Sequence, residues 1–122
     1  MICSVVKDLG VDFPERGTAE IKLYFRDQEG NPIIPATLFY SLVNEEDEVI
    51  NNLDNIPLEL ASEVSVFLTG NDLSLSTLER STGWAYRYLT ITGTYNEGPH
   101  SGLQIAASSR FKVCVIRHGG GF

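Results

Sequence analysis

Cysteine and histidine are scarce in this chain, with two of each in 122 residues. Cys3 and Cys114 are too few for a disulfide scaffold and stand far from any metal-ligand spacing. They lie near opposite ends, where first and last strands could bring them together, but a reducing compartment predicts two free thiols. His100 falls in a turn and His118 near the end, neither with a Cys, Asp or Glu at ligand spacing on a shared element, so no zinc site or general base is expected. Basic residues are also few: nine Lys and Arg against sixteen Asp and Glu give a net charge of −7. That negative field repels a phosphate backbone, and the few cations are scattered rather than gathered in a patch, so nucleic acid is not expected as a partner. No apolar run approaches membrane length. The opening "MICSVVKDLGVDF" has no basic n-region, so the chain is expected to remain in the cytoplasm where it is made, with no membrane partner.

A nucleophile elbow is missing as well. The last residues, "RHGGGF" from Arg117 to Phe122, resemble the His-Gly-Gly-Gly stretch with which some α/β-hydrolases build an oxyanion hole. That device works beside a strained G-x-S-x-G turn. The nearest candidate, "GPHSG" at Gly98 to Gly102, sets Ser101 one place too late. Residues 117–122 therefore read as a flexible glycine-rich tail, and the chain as a non-enzyme without catalytic residues or cofactor.

What is present suits one compact domain. Hydrophobic residues make up 43% and charged residues 20% of the chain, which argues against disorder and leaves enough for a single core. In "TAEIKLYFR", Ala19, Ile21, Leu23 and Phe25 alternate with Glu20, Lys22, Tyr24 and Arg26, the pattern of a half-buried strand. It ends at "DQEGNP", where Gly and Pro impose a turn. "ATLFYSLV", Ala36 to Val43, is apolar on both faces and predicts a central strand. "NEEDEVI" then reads as a hairpin tip followed by a short strand at Val49 and Ile50, and "SEVSVFL" as a further strand with Val64 and Val66 on one face and Phe67 on the other. Residues 69–83 read as a loop with one helical turn.

The clearest signal is "WAYRYLTITGTY", Trp84 to Tyr95, with Leu89, Ile91, Gly93 and Tyr95 directed inward and Tyr86, Tyr88, Thr90, Thr92 and Thr94 outward. A turn at "NEGPHSG" leads into a last strand on which Leu103, Ile105, Ala107, Phe111, Val113 and Val115 share a parity. About seven short strands without a long helical period predict an all-β fold, an antiparallel β-sandwich. Residues 1–17 form either an N-terminal arm that packs on a neighbouring subunit or the first strand, and 18–116 form the sandwich.

The candidate contacts follow from this layout. Trp84, Tyr86 and Tyr88 on an outward face beside threonines make an amphipathic surface suited to a protein interface, unless the N-terminal segment or the 69–83 loop covers it. Phe122 adds an aromatic anchor on the tail. Glu45, Glu46, Asp47 and Glu48 diverge too much for Ca²⁺ and read as a solvated cluster that discourages edge pairing.

The order of features, "FRDQEGNPIIPATLFYSLVNEEDEVI", then "SEVSVFLTGND", then "YLTITGTYNEG" with "SSRFKVCVI", resembles immunoglobulin-like domains of tailed-bacteriophage virion proteins. A P-x-x-x-x-Y-x-L strand falls at Pro35 to Leu42 and an R-F-x-V strand at Arg110 to Val113. The likeness covers about residues 18–116 and departs from the pattern at residues 69–83. It implies a single immunoglobulin-like β-sandwich acting as a virion structural protein, a capsid decoration or head-to-tail accessory assembled in the host cytoplasm. Its partners would be other virion proteins, bound in multiple copies on a symmetric particle. A free immunoglobulin-like module recognising a host protein or glycan is the alternative.

Overall fold

The computed structural model describes residues 6–27 and 29–116. Seven strands follow in chain order: β1 (Val6–Pro14), β2 (Thr18–Tyr24), β3 (Thr37–Val43), β4 (Ile56–Pro57), β5 (Glu63–Thr69), β6 (Trp84–Glu97) and β7 (His100–Cys114). A 3-10 turn at Gly70–Leu73 and a short helix, α1 (Thr77–Thr82), lie between β5 and β6. The strands form two packed sheets, one ordered β1-β7-β6-β3-β4 and one pairing β2 with β5. The fold is thus an all-β sandwich. Among the described residues no helix is long and apolar enough to cross a membrane.

The alternation predicted for β2, β5, β6 and β7 is what makes two sheets necessary: each strand carries one apolar row that water disfavours. Ala19 and Ile21 of β2 and Val64, Val66 and Leu68 of β5 are buried. They belong to one core with Leu38 and Leu42 of β3, Leu89 and Ile91 of β6, and Phe111 and Val113 of β7. Phe13 of β1 closes one side, its ring edge-on to Phe111 at 5.4 Å between centroids.

Three expectations are corrected. The sandwich is not wholly antiparallel, because β1 runs parallel to β7, with Val6 opposite Ser108 and Pro14 opposite Cys114. A bulge between Asp8 and Asp12 shifts that register, and Gly10 lies within it at φ 67°, a backbone state open to glycine. The short strand expected at Val49 and Ile50 is reduced to one bridge, Val43 to Val49. The residues that pair with β3 are instead Ile56 and Pro57, opposite Tyr40 and Phe39. Asn51, Asn52 and Asn55 take positive φ in between, so the chain loops out before it can run beside β3; asparagine tolerates that conformation better than most residues. Finally, residues 69–83 contain two helical pieces rather than one.

Those pieces are held from inside the sandwich. Arg87 stands on the inward face of β6 and is 1% exposed. Its guanidinium makes a forked pair with Glu79 of α1, Nη1 donating to Oε2 at 2.8 Å and Nη2 to Oε1 at 2.6 Å. It also donates to the carbonyls of Ser74 and Tyr86. Glu79 serves α1 a second time. Ser76 and Glu79 form a reciprocal capping box, with the Ser76 hydroxyl accepting from the Glu79 amide and Glu79 accepting from the Ser76 amide. Gly83, at φ 103°, ends the helix, and its carbonyl accepts from the Val115 amide. Arg80 pairs with buried Glu15, which ties the end of β1 to the same helix.

Two outcomes are expected. Gly93 is buried where a Cβ would stand 2.2 Å from the Thr37 carbonyl oxygen. Gly93→Ala should therefore force β3 from β6 and cost about 2 kcal/mol in urea unfolding. The Arg87 hydrogen bond, partly opposed by burial, holds the Glu79 carboxyl below its ordinary value of 4.5. A depressed carboxylate contributes stability that is complete above that value and is lost as the pH falls below it. Glu79→Gln keeps the cap but not the charge, so its stability deficit against the wild type should shrink as the pH is lowered through that window.

Candidate functional site: the outer face of the larger sheet

With Ala85, Arg87, Leu89 and Ile91 turned inward, the alternation of β6 sends Trp84, Tyr86, Tyr88, Thr90 and Thr92 to the outer face. On β7, Cys114 lies opposite Trp84, Lys112 opposite Tyr86 and Arg110 opposite Tyr88. On β3, Val43 lies opposite Tyr88 and Ser41 opposite Thr90. Among the described residues, the two segments that could have covered this face run elsewhere. β1 continues the sheet as an edge strand, and the 3-10 turn and α1 pack toward the inward Arg87.

Cations hold the rings in place. The Arg110 guanidinium lies over the Tyr86 ring at 4.3 Å from its centroid, and the Lys112 ammonium over Trp84 at 4.6 Å and Tyr86 at 5.7 Å. Trp84 and Tyr86 meet edge-to-face at 5.1 Å. Trp84 is exposed, while Tyr86 and Tyr88 are half-buried. Trp84 and Tyr86 thus each present a flank to a cation and leave the rest for contact. Cys114 lies at the end of this face with a free thiol. Its pKa is raised first by burial and then by Asp12, with Lys112 pulling the other way.

The acidic turn borders the opposite side. Asn44 organises it: its side-chain oxygen accepts from the amides of Glu46 and Glu48, and its Nδ2 donates to Glu48. Asp47 takes φ 65°. Glu45 accepts from the Tyr86 amide at 3.3 Å. A concavity of about 220 Å³ opens between this turn, α1 and β6, lined by Asn44, Glu45, Glu46, Leu78, Thr82 and Trp84.

Of the expected contact residues, Trp84, Tyr86 and Tyr88 are brought together on this face; Phe122, like His118 and Cys3, lies outside the described residues. His100 starts β7 at an exposed turn. Among the described residues no three His, Cys, Asp or Glu side chains stand close enough to hold a metal ion.

Sequence reasoning missed two parts of the arrangement. Arg110 and Lys112 share a parity on β7 opposite the aromatic row, so the β6–β7 hairpin register would have found them. Arg87 shares the inward parity of Leu89 and Ile91, and S-x-x-E at Ser76 to Glu79 marks its partner.

Comparison with family models, curated proteins and solved structures finds no match.

The chain has one tryptophan, and it reports on this face. Lys112→Met keeps the aliphatic stem and removes the charge, so unfolding followed by Trp84 emission should show a loss of about 0.5–1 kcal/mol. An unchanged midpoint would mean that the ammonium does not hold the rings.

Proposed function

We propose that this chain is a non-enzymatic, immunoglobulin-like binding module that works as a structural component of a phage virion and docks through the outer face of its larger sheet. One observation carries the docking reading: three aromatic side chains stand in a row on the outer face, and two of them, Trp84 and Tyr86, are braced by cations. Rigid rings of this kind bury large area for little loss of conformational entropy, which is why they concentrate at interfaces.

Strand order supports the immunoglobulin-like reading. β3, β6 and β7 are neighbours in one sheet with β4 beyond β3, and β2 pairs with β5 in the other. This is the arrangement of the C, F, G and C′ strands against B and E in sandwiches of that type. Support for the virion setting is the likeness of Phe25 to Ile50 and of the last two strands to domains of tailed-phage particles. Many copies on a lattice need only modest contacts each, because simultaneous attachment multiplies their effect.

A second reading rests on the concavity beside Trp84. An indole wall and the Glu45 and Glu46 carboxylates would suit a free module that takes a host glycan or a basic side chain.

Particle attachment separates the two. Tyr86→Ala combined with Tyr88→Ala should leave a folded domain that no longer co-sediments with purified particles, whereas the wild type sediments at a fixed, symmetric copy number. Wild-type protein found only in the soluble fraction would favour the free module.

A further inference from the structure

We propose that the open edge of β5 takes on an added antiparallel strand, an extended segment of a partner protein in which apolar residues alternate with Lys or Arg. This contact lies on the smaller sheet and leaves the outer face of the larger one free.

The ladder between β2 and β5 decides which backbone groups are left over. Gly70 donates to the Gly17 carbonyl and Phe25 to the Ser62 carbonyl, and both pairs continue the register of the two strands. Hydrogen-bonded pairs alternate along an antiparallel ladder, so Val64, Val66 and Leu68 turn their amides and carbonyls toward β2. Glu63, Ser65 and Phe67 turn theirs the other way. Among the described residues no strand lies there and nothing bonds these backbone groups. The Thr69 amide faces the same way but is taken by the Asp72 carboxylate, which also accepts from Asn51. The edge is closed at that end and open from Glu63 to Phe67.

Open edges invite pairing, and charged side chains commonly guard them. Glu20 and Lys22 are exposed along the edge of β2. On β5 one charge, Glu63, stands beside Ser65 and Phe67, and Phe67 is 59% exposed. A concavity of about 310 Å³ runs beside this edge, with Leu58, Ala61 and Val64 in its lining. The Leu58 amide donates to Leu38 of β3 and the Ser62 carbonyl accepts from Phe25, so residues 58–62 cross from one sheet to the other and wall the concavity. Side chains of an added strand opposite Val64 and Val66 would turn inward there, against Leu58 and Ala61 on the flank of the core. In strand addition, main-chain bonds give affinity and pockets for alternate side chains give specificity.

Charge names the other positions. Glu59 and Glu63 line the concavity and no cation does; Lys22 stands opposite Ser65 on β2, one strand farther from the edge. A Lys or Arg opposite Glu63 would therefore form a favourable cross-strand pair. A second copy would instead bring its own Glu59 and Glu63 to this edge, and each copy carries a net charge of −7.

Amide NMR of the full chain, titrated with the synthetic peptide acetyl-Lys-Val-Thr-Val-Lys-amide at low ionic strength, tests the proposal. In the free protein the amides of Glu63, Ser65 and Phe67 should exchange fast with solvent, and those of Val64 and Val66 slowly. Peptide at about ten times its dissociation constant should slow the three outward amides about tenfold. Replacing both peptide Lys by Glu should weaken binding about fivefold or more, and Glu63→Lys, a change at an exposed site, should remove that preference. N-methylation of the peptide Thr deletes a main-chain donor without altering the protein and should abolish binding. Tyr86→Ala with Tyr88→Ala should leave peptide binding unchanged, so the two contact surfaces succeed or fail separately. No response to the basic peptide, equal affinity for the acidic one, or binding that survives N-methylation would each overturn the proposal. Protection of the outward amides that rises with protein concentration alone would give the edge to a second copy and overturn the basic strand.

Discussion

The buried guanidinium of Arg87 constrains this fold more than any apolar contact does. A charge at 1% exposure is tolerated only with close partners, since removing one partner of a buried pair typically costs about 3–5 kcal/mol. The buried Nε has no hydrogen-bond partner among the described residues, while Glu79 and the carbonyls of Ser74 and Tyr86 partner both terminal nitrogens. All but Tyr86 belong to the connection between β5 and β6. A segment rich in Ser, Thr and Asn, without a long apolar stripe, is thereby held at one end of the sandwich. The helix it contains is only six residues long and would not persist alone in water. Its capping box and its ion pair share one carboxylate, so cap, helix and core stand or fall together.

That anchor also determines which side of β6 faces outward. Alternation leaves two choices for the strand, and a slip of one residue would turn every side chain over. Leu89, Ile91 and Phe111 favour the observed choice through burial, and Arg87 adds a directional bond that burial lacks. Trp84, Tyr86 and Tyr88 face outward as a consequence. The two sheets are unequal, five strands against two. Ala107 has inward parity yet is exposed, beyond the cover that the smaller sheet provides. Gly93 relieves the same region differently: without a side chain there, β3 can approach β6 closely at Thr37.

What the sequence made legible was local. Period-two alternation located β2, β5, β6 and β7, a run apolar on both faces located β3, and aromatic parity on β6 located the candidate face, because all depend on side chains a few residues apart. Non-local pairing was hidden. β1 adds to β7 in parallel across the whole length of the chain, with no turn between them to announce it and a bulge that spoils its alternation. The placement of β4 after Asn51, Asn52 and Asn55, rather than at Val49, depends on three backbone conformations that residue type favours but does not dictate. Arg87 was passed over because a charged residue in an alternating strand looks like surface, and only its bond to Glu79 reverses that reading.

The face is shaped by what already stands on it. Arg110 and Lys112 rest on the rings of Trp84 and Tyr86, so these two side chains are braced in the free domain, and ordering them in any contact would cost less than it would for free side chains. The bracing cations are also the only described basic groups opposite the row, while carboxylates of the acidic turn border its other side. Aromatic area and positive charge therefore share one place, the cations lying over Trp84 and Tyr86, while the acidic turn lies at the border. Central rings supply most of the binding energy in interfaces, and marginal charges mainly select orientation and partner. If this sheet docks as proposed, Arg110 and Lys112 would orient the partner by charge, and the strength of the contact would follow how completely Trp84, Tyr86 and Tyr88 are covered.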